Sequence, residues 1–553
     1  MSTPLLSVEH LHIAFGKKQV VKDVSFSIDR GARLGMVGES GSGKSLTALS
    51  MIGLLPRGAR VPTGRITWVD DTGHYPLQPH TPNAWRGLRG RKMSMVFQEP
   101  MSSLNPVLKC GRQIREAIKF HFNCSDQEAK ERVLYWMDRV GLTDLPRMYR
   151  SYPHQLSGGQ KQRIMIAMAL CGEPDLLIAD EPTTALDLRI QEQILDLLLN
   201  LSTSLHISLL FISHDLAVVQ KVADKVVVME GGMKVEEGRT TDLFRQPQTA
   251  YTKGLLACRP PLHHQLHRLP TIGQVRRDGN PRAVLATAKK LPKAAGPLLE
   301  GQNISVHFST APGLFGSKEV VKAVNEVDLQ LYPGETLGLV GESGSGKTTL
   351  GRCLIGLQDP ALGSRYFRGQ RITRRWLRQP ANRRSLQIIF QDPFSALNPR
   401  LTVGAAIAEP LRWKRELTDT DRLDRTVQLL EQVGLSAEHL NRYPGAFSGG
   451  QRQRICIARA LAAEPQVLVC DESVSALDVS VQAQVLNLLK DIQERHQLTY
   501  LFISHDLGVI RFMCDRVMVM KDGKIVESGQ AEDIFTNPQV DYTRELLAAV
   551  PKS

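Results

Sequence analysis

The chain has 553 residues, of which 42% are hydrophobic and 23% are charged, and its formal net charge is +13. This length allows two or more domains, and because no apolar run approaches the ~18–20 residues that span a bilayer, we expect no transmembrane helix. The N-terminus lacks the features of a signal peptide and the eight cysteines form no C-x-x-C pair, so we expect no leader, zinc ribbon or disulfide framework, but a protein of a reducing cytosol.

The first part of the chain contains a glycine-rich stretch between an apolar run and a helical pattern. Residues 6–28 alternate apolar and polar positions and predict antiparallel strands. Residues 38–45 fit the G-x-x-x-x-G-K-[ST] phosphate loop, in which glycines turn backbone N–H groups toward an anion at a helix N-terminus. A glycine-rich turn with a chance lysine is the alternative. The candidate nucleotide-binding residues are Gly38, Glu39, Ser40, Gly41, Ser42, Gly43, Lys44 and Ser45.

The same stretch recurs in the second half of the chain, again after an apolar run and before a helical pattern. Its candidate residues are Gly341, Glu342, Ser343, Gly344, Ser345, Gly346, Lys347 and Thr348. A chance lysine does not explain two copies in matching contexts, so the sequence predicts two sites for nucleoside triphosphates. Lys44 and Lys347 can reach the terminal phosphates, and the hydroxyls of Ser45 and Thr348 can hold Mg²⁺.

Short apolar runs alternate with helical patterns after each phosphate loop. Strands that are buried on both faces have this composition, and in the first copy the runs are residues 93–97, 176–179, 208–212 and 226–229. They predict an α/β unit with a mostly parallel core sheet. Residues 110–121 and 127–140 predict an inserted helical subdomain, with 403–433 as its counterpart. Residues 56–85, which are rich in Pro, Thr, Gly and His, predict a loop.

The phosphate loop of the first half, and the sequence motifs that follow it, recur in the same order in the second half, which indicates an internal duplication. We predict one domain at residues 1–258, a second at 299–553, and a basic, proline-containing linker at 259–298 that forms a loop or a partly ordered tether. The positive charge of the linker, and of a second basic stretch at 365–384, is explained by exposure to solvent, by contact with lipid headgroups or by contact with nucleic acid.

Each copy has an apolar strand that ends in two acids, Asp180-Glu181 and Asp471-Glu472. A carboxylate at this end of a core strand, beside a phosphate loop, can order Mg²⁺, and the next acid can polarise the attacking water. Positioning and charge neutralisation supply most of the catalysis in phosphoryl transfer. A strand that ends in an acid is common by itself, but its spacing after a phosphate loop favours this role.

A second pair of anion-binding elements precedes the acids, at Ser157, Gly158, Gly159 and Gln160 and at Ser448, Gly449, Gly450 and Gln451. A serine with glycines at a helix start presents N–H groups to a phosphate. An ordinary helix cap is the alternative. In both copies a long apolar helix and then Asp-Glu follow, and this order favours nucleotide binding.

Together these motifs resemble the nucleotide-binding subunits of ABC transporters, over both copies and essentially the whole chain outside the linker. The resemblance implies two α/β P-loop NTPase domains of the ABC type, each with a mostly parallel core sheet, an antiparallel β subdomain and an inserted helical subdomain. It implies ATP and Mg²⁺ as cofactors. Residues 185–187 and 476–478 would be the D-loops.

The resemblance also assigns roles to single residues. It implies that Glu181 and Glu472 are catalytic bases and that His214 and His505 contact the γ-phosphate. It places Gln98 and Gln391 on the attacking water, and it has Mg²⁺ held by Ser45, Gln98, Asp180, Thr348, Gln391 and Asp471.

Phe15 and Phe308 stand where such proteins stack a ring on adenine. Because Leu11, Ile13 and Phe15 share one face of a predicted strand, core packing is an equal alternative for that ring.

In this family two domains pair head to tail, so that each nucleotide lies between one phosphate loop and the other domain's Ser-Gly-Gly-Gln. The resemblance therefore implies two composite sites within this one chain. Both copies keep their lysine, glutamate and histidine, so we expect both sites to hydrolyse ATP. The copies depart from one another after the acids, where Ser473 replaces the proline found as Pro182, and this affects the expected placement of Glu472.

Residues 98–106, 391–399, 250–256 and 541–547 look like the dipeptide, oligopeptide and nickel importer branch. The fused arrangement is similar to the peptide and microcin C-type importer ATPases of bacteria. This implies two transmembrane permease subunits, an extracytoplasmic solute-binding protein, no nucleic acid, and a peripheral place at the cytoplasmic face of the inner membrane. Peptide, peptide antibiotic and metal chelate all remain open as the solute. Cys258 stands alone in its region, so we expect no iron–sulfur cluster.

Two other functions fit a double ATPase. One is a soluble protein that acts on ribosomes or nucleic acid, and the other is an exporter ATPase. Ribosome-type relatives join their halves by a long charged helix, which the linker prolines disfavour. The predicted absence of a membrane domain and the Tyr-Thr-x-x-Leu-Leu motifs disfavour the exporter.

Overall fold

The computed structural model describes residues 4–70, 73–77, 85–98, 103–183, 186–279, 285, 296–309, 320–414 and 416–550. Contacts divide the chain into two compact units. Unit 1 is built from Met1–Leu256 and Ile272–Asn280, and unit 2 from Ala257–Thr271 and Pro281–Val550. Among the described residues, no helix combines the length and the apolarity that a membrane crossing requires.

The core of unit 1 is a six-stranded sheet in the order β11-β10-β3-β9-β8-β7. Its strands are β3 (Arg33–Val37), β7 (Met93–Val96), β8 (Leu176–Asp180), β9 (Ser208–Ser213), β10 (Lys225–Glu230) and β11 (Met233–Arg239). All neighbours are parallel except β10 and β11. The central strands β8 and β9 are buried along their whole length, which explains their apolar composition. The predicted parallel sheet is confirmed.

An antiparallel sheet adjoins this core and contains β1 (Pro4–Phe15), β2 (Lys18–Asp29), β4 (Ala59–Arg60), β5 (Arg65–Asp70) and β6 (Gly73–Pro76). The alternation of residues 6–28 predicted β1 and β2 correctly. The prediction of a loop over residues 56–85 was wrong for β4, β5 and β6. Strands β4 and β6 are short and polar and are held by pairing with β1 and β5, so their sequence lacks the signal of a buried strand. Strand β5 carries the buried residues Ile66, Trp68 and Val69, but the surrounding Pro, Thr, Gly and His residues obscured this signal.

The helices of unit 1 cover the core sheet and form the inserted subdomain. They are Lys44–Met51, Cys110–His121, Asp126–Arg139, Leu145–Arg150, Gly158–Leu170, Leu188–Leu205, Leu216–Val222, Thr240–Arg245, Ala250–Ala257 and Ile272–Asp278. The two helices predicted between residues 110 and 140 are confirmed. A Ser125 cap begins the second of them, since the Ser125 hydroxyl accepts a hydrogen bond from the Glu128 N–H group.

Unit 2 repeats this architecture. Its core sheet has the order β17-β18-β19-β14-β20-β21 and its antiparallel sheet the order β13-β12-β15-β16. The strands are β12 (Leu299–Ser309), β13 (Val320–Leu331), β14 (Thr336–Val340), β15 (Leu362–Phe367), β16 (Gln370–Arg371), β17 (Leu386–Ile389), β18 (Val467–Asp471), β19 (Thr499–Ile503), β20 (Arg516–Lys521) and β21 (Lys524–Gln530). The helices are Lys347–Leu354, Arg374–Leu377, Pro380–Ser385, Pro393–Ala396, Val403–Ala408, Asp419–Gln432, Gly449–Ala462, Val479–His496, Leu507–Met513, Ala531–Thr536 and Asp541–Ala548.

The linker is more structured than the sequence predicted. Its first part packs on unit 2, where Leu266 and Leu269 are buried and Arg268 forms ion pairs with Asp491 and Glu494, both at 2.8 Å. Its second part forms helix Ile272–Asp278, which belongs to unit 1. The domain boundaries at residues 258 and 299 stay a prediction.

Candidate functional site

The first phosphate loop connects β3 to helix Lys44–Met51, as the sequence predicts. The Lys44 ammonium donates to the carbonyls of Gly38, at 2.8 Å, and Glu39, at 3.0 Å. Gly38 has φ +154°, and a Cβ there would lie 2.1 Å from the Met229 carbonyl, so only glycine fits. The Ser42 hydroxyl is buried and has no hydrogen-bond partner among the described residues. An unpaired buried hydroxyl within a turn of backbone N–H groups fits an anionic ligand.

The second phosphate loop has the same geometry. The Lys347 ammonium donates to the carbonyls of Gly341, at 2.9 Å, and Glu342, at 2.6 Å. Gly341 has φ +152°, and its Cβ would lie 2.1 Å from the Met520 carbonyl. The two loops therefore have equivalent conformations.

The loop hydroxyls lie against the strand-end aspartates. Ser45 Oγ donates to Asp180 Oδ1 at 3.1 Å, and Thr348 Oγ1 donates to Asp471 Oδ1 at 2.7 Å. Burial is the main cause that raises the pKa of Asp180 to about 6, although the Ser45 hydrogen bond opposes it. Burial likewise raises the pKa of Asp471.

The residues around these aspartates fit a cation. Asp471 Oδ2 is buried without a hydrogen-bond partner in the described part of the chain, and the Arg352 guanidinium lies 3.8 Å from it. Carboxylate and hydroxyl oxygens side by side are ligands that Mg²⁺ prefers. A buried carboxylate that lacks compensation would gain from such an ion.

The two catalytic-base candidates follow directly after these strands. Gln98 Nε2 donates to Glu181 Oε2 at 2.9 Å, and His214 Nδ1 lies 3.2 Å from the same oxygen. Glu181 has φ +47°, a left-handed conformation that is costly for a residue with a side chain. The structure thus brings the three predicted residues of this site together, with the carboxylate at their centre.

Unit 2 forms the same cluster. Gln391 Nε2 donates to Glu472 Oε2 at 2.6 Å, and His505 Nδ1 lies 3.4 Å from Glu472 Oε1. Glu472 also has φ +47°, so the replacement of proline by Ser473 leaves the placement of Glu472 unchanged. Burial opposes both charges of this pair, but the contact outweighs it, so that the pKa of Glu472 is lowered and that of His505 is raised.

The two Ser-Gly-Gly-Gln stretches begin helices Gly158–Leu170 and Gly449–Ala462. Each serine hydroxyl accepts a hydrogen bond from the glutamine N–H group, and each glutamine side-chain oxygen accepts one from the serine N–H group. The second glycines, Gly159 and Gly450, allow close packing, since a Cβ would lie 2.7 Å from Ile190 or 2.2 Å from Val481. These stretches are thus true helix caps as well as nucleotide-binding candidates. Of the D-loop residues, Ala185 lies outside the described residues.

The aromatic candidates lie near the ends of β1 and β12. Leu11 and Ile13 are buried in the core, whereas Phe15 is only half-buried and Phe308 is 45% exposed. Their exposure favours the stacking alternative over core packing, and the adenine contact stays a prediction.

Sequence reasoning missed one pair of residues at the phosphate loops. The N–H group of Glu39 donates to the Tyr251 hydroxyl, and the N–H group of Glu342 donates to the Tyr542 hydroxyl. Both tyrosines lie in the Tyr-Thr-x-x-Leu-Leu motifs, which the sequence offered only as a mark of family resemblance. The recurrence of that motif after each copy was the available signal.

The chain is similar in sequence to known proteins over most of its length. The chain matches the ABC transporter family at residues 21–184 and 324–475, and the oligopeptide/dipeptide transporter C-terminal region at 235–281 and 526–553. It is similar to the glutathione import ATP-binding protein GsiA of Shigella dysenteriae serotype 1 (strain Sd197) and of Escherichia coli (strain K12). Each is 46% identical, over 99% of this chain and 89% of the relative. A solved dimeric ATP-binding cassette in a post-hydrolysis state, bound to ADP and Pi, is 28% identical over 42% of this chain and 98% of that one, with a TM-score of 0.38.

Proposed function

The chain belongs to the ABC transporter family as an ATPase with two ATP-binding domains, and we propose that it powers the import of peptides or peptide-like solutes through partner permeases. One observation carries the ATPase part of this proposal. Both units hold a complete set of phosphate-loop lysine, strand-end aspartate, glutamate, glutamine and histidine in the same geometry.

The importer class rests on the C-terminal parts of the two units. Both match the oligopeptide/dipeptide transporter C-terminal region, and the relatives described above are glutathione import proteins. Glutathione is a tripeptide, so it is the first solute to test. The partners we propose are two transmembrane permeases and an extracytoplasmic solute-binding protein, with this chain bound at the cytoplasmic face of the bacterial membrane.

The proposed mechanism begins with the phosphates of ATP in the loop. The loop N–H groups and the Lys44 ammonium bind the β- and γ-phosphates, which neutralises charge that grows in the transition state. Mg²⁺, when bound, would be held by Ser45, Gln98 and Asp180, and would supply further charge neutralisation at the phosphates. In unit 2, Lys347 would bind the phosphates, and Thr348, Gln391 and Asp471 would hold Mg²⁺.

The glutamate acts on water. Glu181 accepts a proton from the attacking water, whose oxygen forms the new bond to the γ-phosphorus as the bond to ADP breaks. Gln98 and His214 hold the Glu181 carboxylate, and in the proposed mechanism the other ring nitrogen of His214 would donate to a γ-phosphate oxygen. Glu472, Gln391 and His505 have these roles in unit 2.

We further propose that the units pair head to tail and complete each other's sites. Lys44, Glu181 and His214 would then face residues 448–451, and Lys347, Glu472 and His505 would face residues 157–160. An exposed N–H cluster at a helix start suits the γ-phosphate of the opposite site. ATP binding would close the pair and hydrolysis would reopen it.

A cross-linking experiment tests the pairing. Ser40→Cys combined with Ser448→Cys should cross-link through a short bis-thiol reagent in the presence of MgATP and not without it. Ser40→Cys combined with Ser157→Cys places both thiols in unit 1 and serves as the matched control, which should stay unlinked. A cross-link that forms equally in both variants would contradict head-to-tail pairing.

The two-site claim is tested with Glu181→Gln and Glu472→Gln, singly and together, in the transporter reconstituted with its permeases. We expect each single variant to bind MgATP and to lose at least ~10²-fold in transport-coupled hydrolysis, since a positioned general base contributes about 10²–10⁴-fold. A single variant with full transport-coupled hydrolysis would contradict the requirement for two working sites. Uptake of radiolabelled glutathione and of a dipeptide, compared in the same vesicles, tests the solute class.

A further inference from the structure

A buried tyrosine from the C-terminal part of each unit contacts its phosphate loop. Tyr251 lies in helix Ala250–Ala257, and its hydroxyl accepts a hydrogen bond from the Glu39 N–H group at 3.1 Å. Tyr542 lies in helix Asp541–Ala548 and accepts from the Glu342 N–H group at 3.2 Å. The two rings are only 2% and 6% exposed. The same hydrogen bond is present in both units, so it belongs to the common architecture of the two phosphate loops.

The loop residue in this contact is also bound from its other side. The Glu39 carbonyl accepts from the Lys44 ammonium at 3.0 Å, and the Glu342 carbonyl accepts from the Lys347 ammonium at 2.6 Å. One loop residue therefore lies between the tyrosine hydroxyl and the lysine that reaches the phosphates. A shift of that residue would move the carbonyl that locates the lysine.

A cation covers each tyrosine ring, but its source differs between the units. In unit 2 it is Lys521, the last residue of β20, whose ammonium lies 4.5 Å from the Tyr542 ring centre. The last residue of β10 is instead Glu230. In unit 1 the cation is Arg276 of the linker, whose guanidinium lies 5.9 Å from the Tyr251 ring and forms an ion pair with Glu230.

The linker helix that supplies Arg276 is packed closely on the tyrosine's own helix. Gly254 follows Tyr251 by less than one turn, and a Cβ at Gly254 would lie 2.9 Å from Ile272 Cγ1 of the linker helix. Ile272 and Val275 are buried in this contact region. The linker segment therefore has a short physical route to the first phosphate loop, through Arg276 and Tyr251.

We propose that Tyr251 and Tyr542 are positioning residues for the two phosphate loops, and that linker helix Ile272–Asp278 controls the first loop alone. The inference rests on the proposed function in one respect, that both loops bind MgATP. Any conformational change or partner protein that displaces the linker helix would then weaken ATP binding at the first site and leave ATP binding at the second site unchanged.

The test measures binding of fluorescent MANT-ATP with Mg²⁺ to the full chain. A Lys347→Ala background reports the first loop and a Lys44→Ala background the second. Tyr251→Phe and Tyr542→Phe should each raise the Kd of their own loop by about 3- to 10-fold, the value of one intramolecular hydrogen bond. In the chain with both lysines they should raise KM for ATP more than they lower kcat. Tyr500→Phe is the control, since it loses a buried hydrogen bond to the Leu489 carbonyl in the sheet and should lower the Tm without changing Kd.

The linker is tested with Arg276→Ala, which should raise Kd at the first loop by about 2- to 5-fold, the range of a cation–π contact, and leave the second unchanged. Lys521→Ala should raise Kd at the second loop and leave Kd at the first loop unchanged. If the tyrosine variants bind MANT-ATP as tightly as their backgrounds, or if Arg276→Ala changes both loops equally, the inference is overturned while the proposed function stands. If a chain with both lysines replaced binds as tightly as the parent, the proposed function itself fails.

Discussion

Asp180→Asn should make unit 1 more stable and at the same time remove its response to MgATP. Asp180 is 4% exposed, and burial raises its pKa from 3.8 to about 6. A carboxyl with a higher pKa in the folded state binds its proton more tightly there, so stability falls as the pH rises through 4 to 6 and the whole cost is present at pH 7. At ~1.36 kcal/mol for each pKa unit, that cost is about 3 kcal/mol.

The asparagine removes this charge and keeps an oxygen that can accept from Ser45. Burial of the new amide group offsets about 1 kcal/mol, which leaves a gain of about 2 kcal/mol. For a unit of this size the gain corresponds to a Tm that is higher by about 4 to 8 °C. The assay is calorimetry at pH 7 in EDTA without nucleotide, where the Asp180→Asn variant should move one of two unfolding transitions and Asp471→Asn the other.

A second scan with MgATP separates stability from function. At 100 times the Kd, ligand stabilises the parent by about 2.7 kcal/mol, and the variant should gain far less. Asp175→Asn is the matched control just before the other end of β8, where the carboxylate is partly exposed and pairs with Lys92 at 3.0 Å. It should change stability by less than about 1 kcal/mol and keep the MgATP response. An Asp180→Asn variant with a lower Tm in EDTA would refute the argument that this carboxylate is an uncompensated buried charge.

Of three further predictions, the first two use matched positions. Gly38→Ala should destabilise unit 1 by more than about 3 kcal/mol in a denaturation experiment and abolish ATP binding, because the new Cβ would meet the Met229 carbonyl. Gly31 also has a positive φ, +68°, but open space around it, so Gly31→Ala should cost only about 1 kcal/mol in the same experiment. Ser157→Ala and Ser125→Ala each remove a helix cap worth about 1 kcal/mol, but only the former should reduce ATP hydrolysis. Burial lowers the pKa of Lys490 from 10.5 to about 8. The charged Lys490 therefore costs stability below pH 8, and this cost disappears as the ammonium loses its proton, so the free energy of unfolding rises between pH 8 and 10. In the Lys490→Met variant this rise should be smaller by about 2 kcal/mol.

Much of the fold could be predicted because its signals are local. The core strands are short apolar runs, and the phosphate loops are contiguous motifs. Because the chain is duplicated, each motif occurs twice, and a motif that recurs in the same context is not a chance match. The edge strand β6 could not be predicted, because pairing with β5 and not composition holds it. Residues that are adjacent only in space leave no periodicity in a sequence.

The linker shows the same limit for charge. Its arginines looked like solvated or lipid-binding residues, but Arg268 pairs with Asp491 and Glu494 on helix Val479–His496, and Arg276 pairs with Glu230. The acidic partners are far away in sequence, so a count of local charge overestimates the free positive charge of the segment. The Tyr251 contact with Glu39 spans 212 residues and was hidden for the same reason.

The two sites share their predicted catalytic residues and differ in what surrounds them. The residue five positions after the loop lysine is Leu49 in unit 1 and Arg352 in unit 2, and only Arg352 places a charge near its aspartate, 3.8 Å from Asp471 Oδ2. Burial raises the pKa of Asp471 and Arg352 opposes this rise, whereas the uncharged Leu49 stands at the equivalent position in unit 1. Unequal behaviour of the two sites would therefore come from these supporting residues, and Arg352→Leu should make the second site more like the first in its dependence on Mg²⁺.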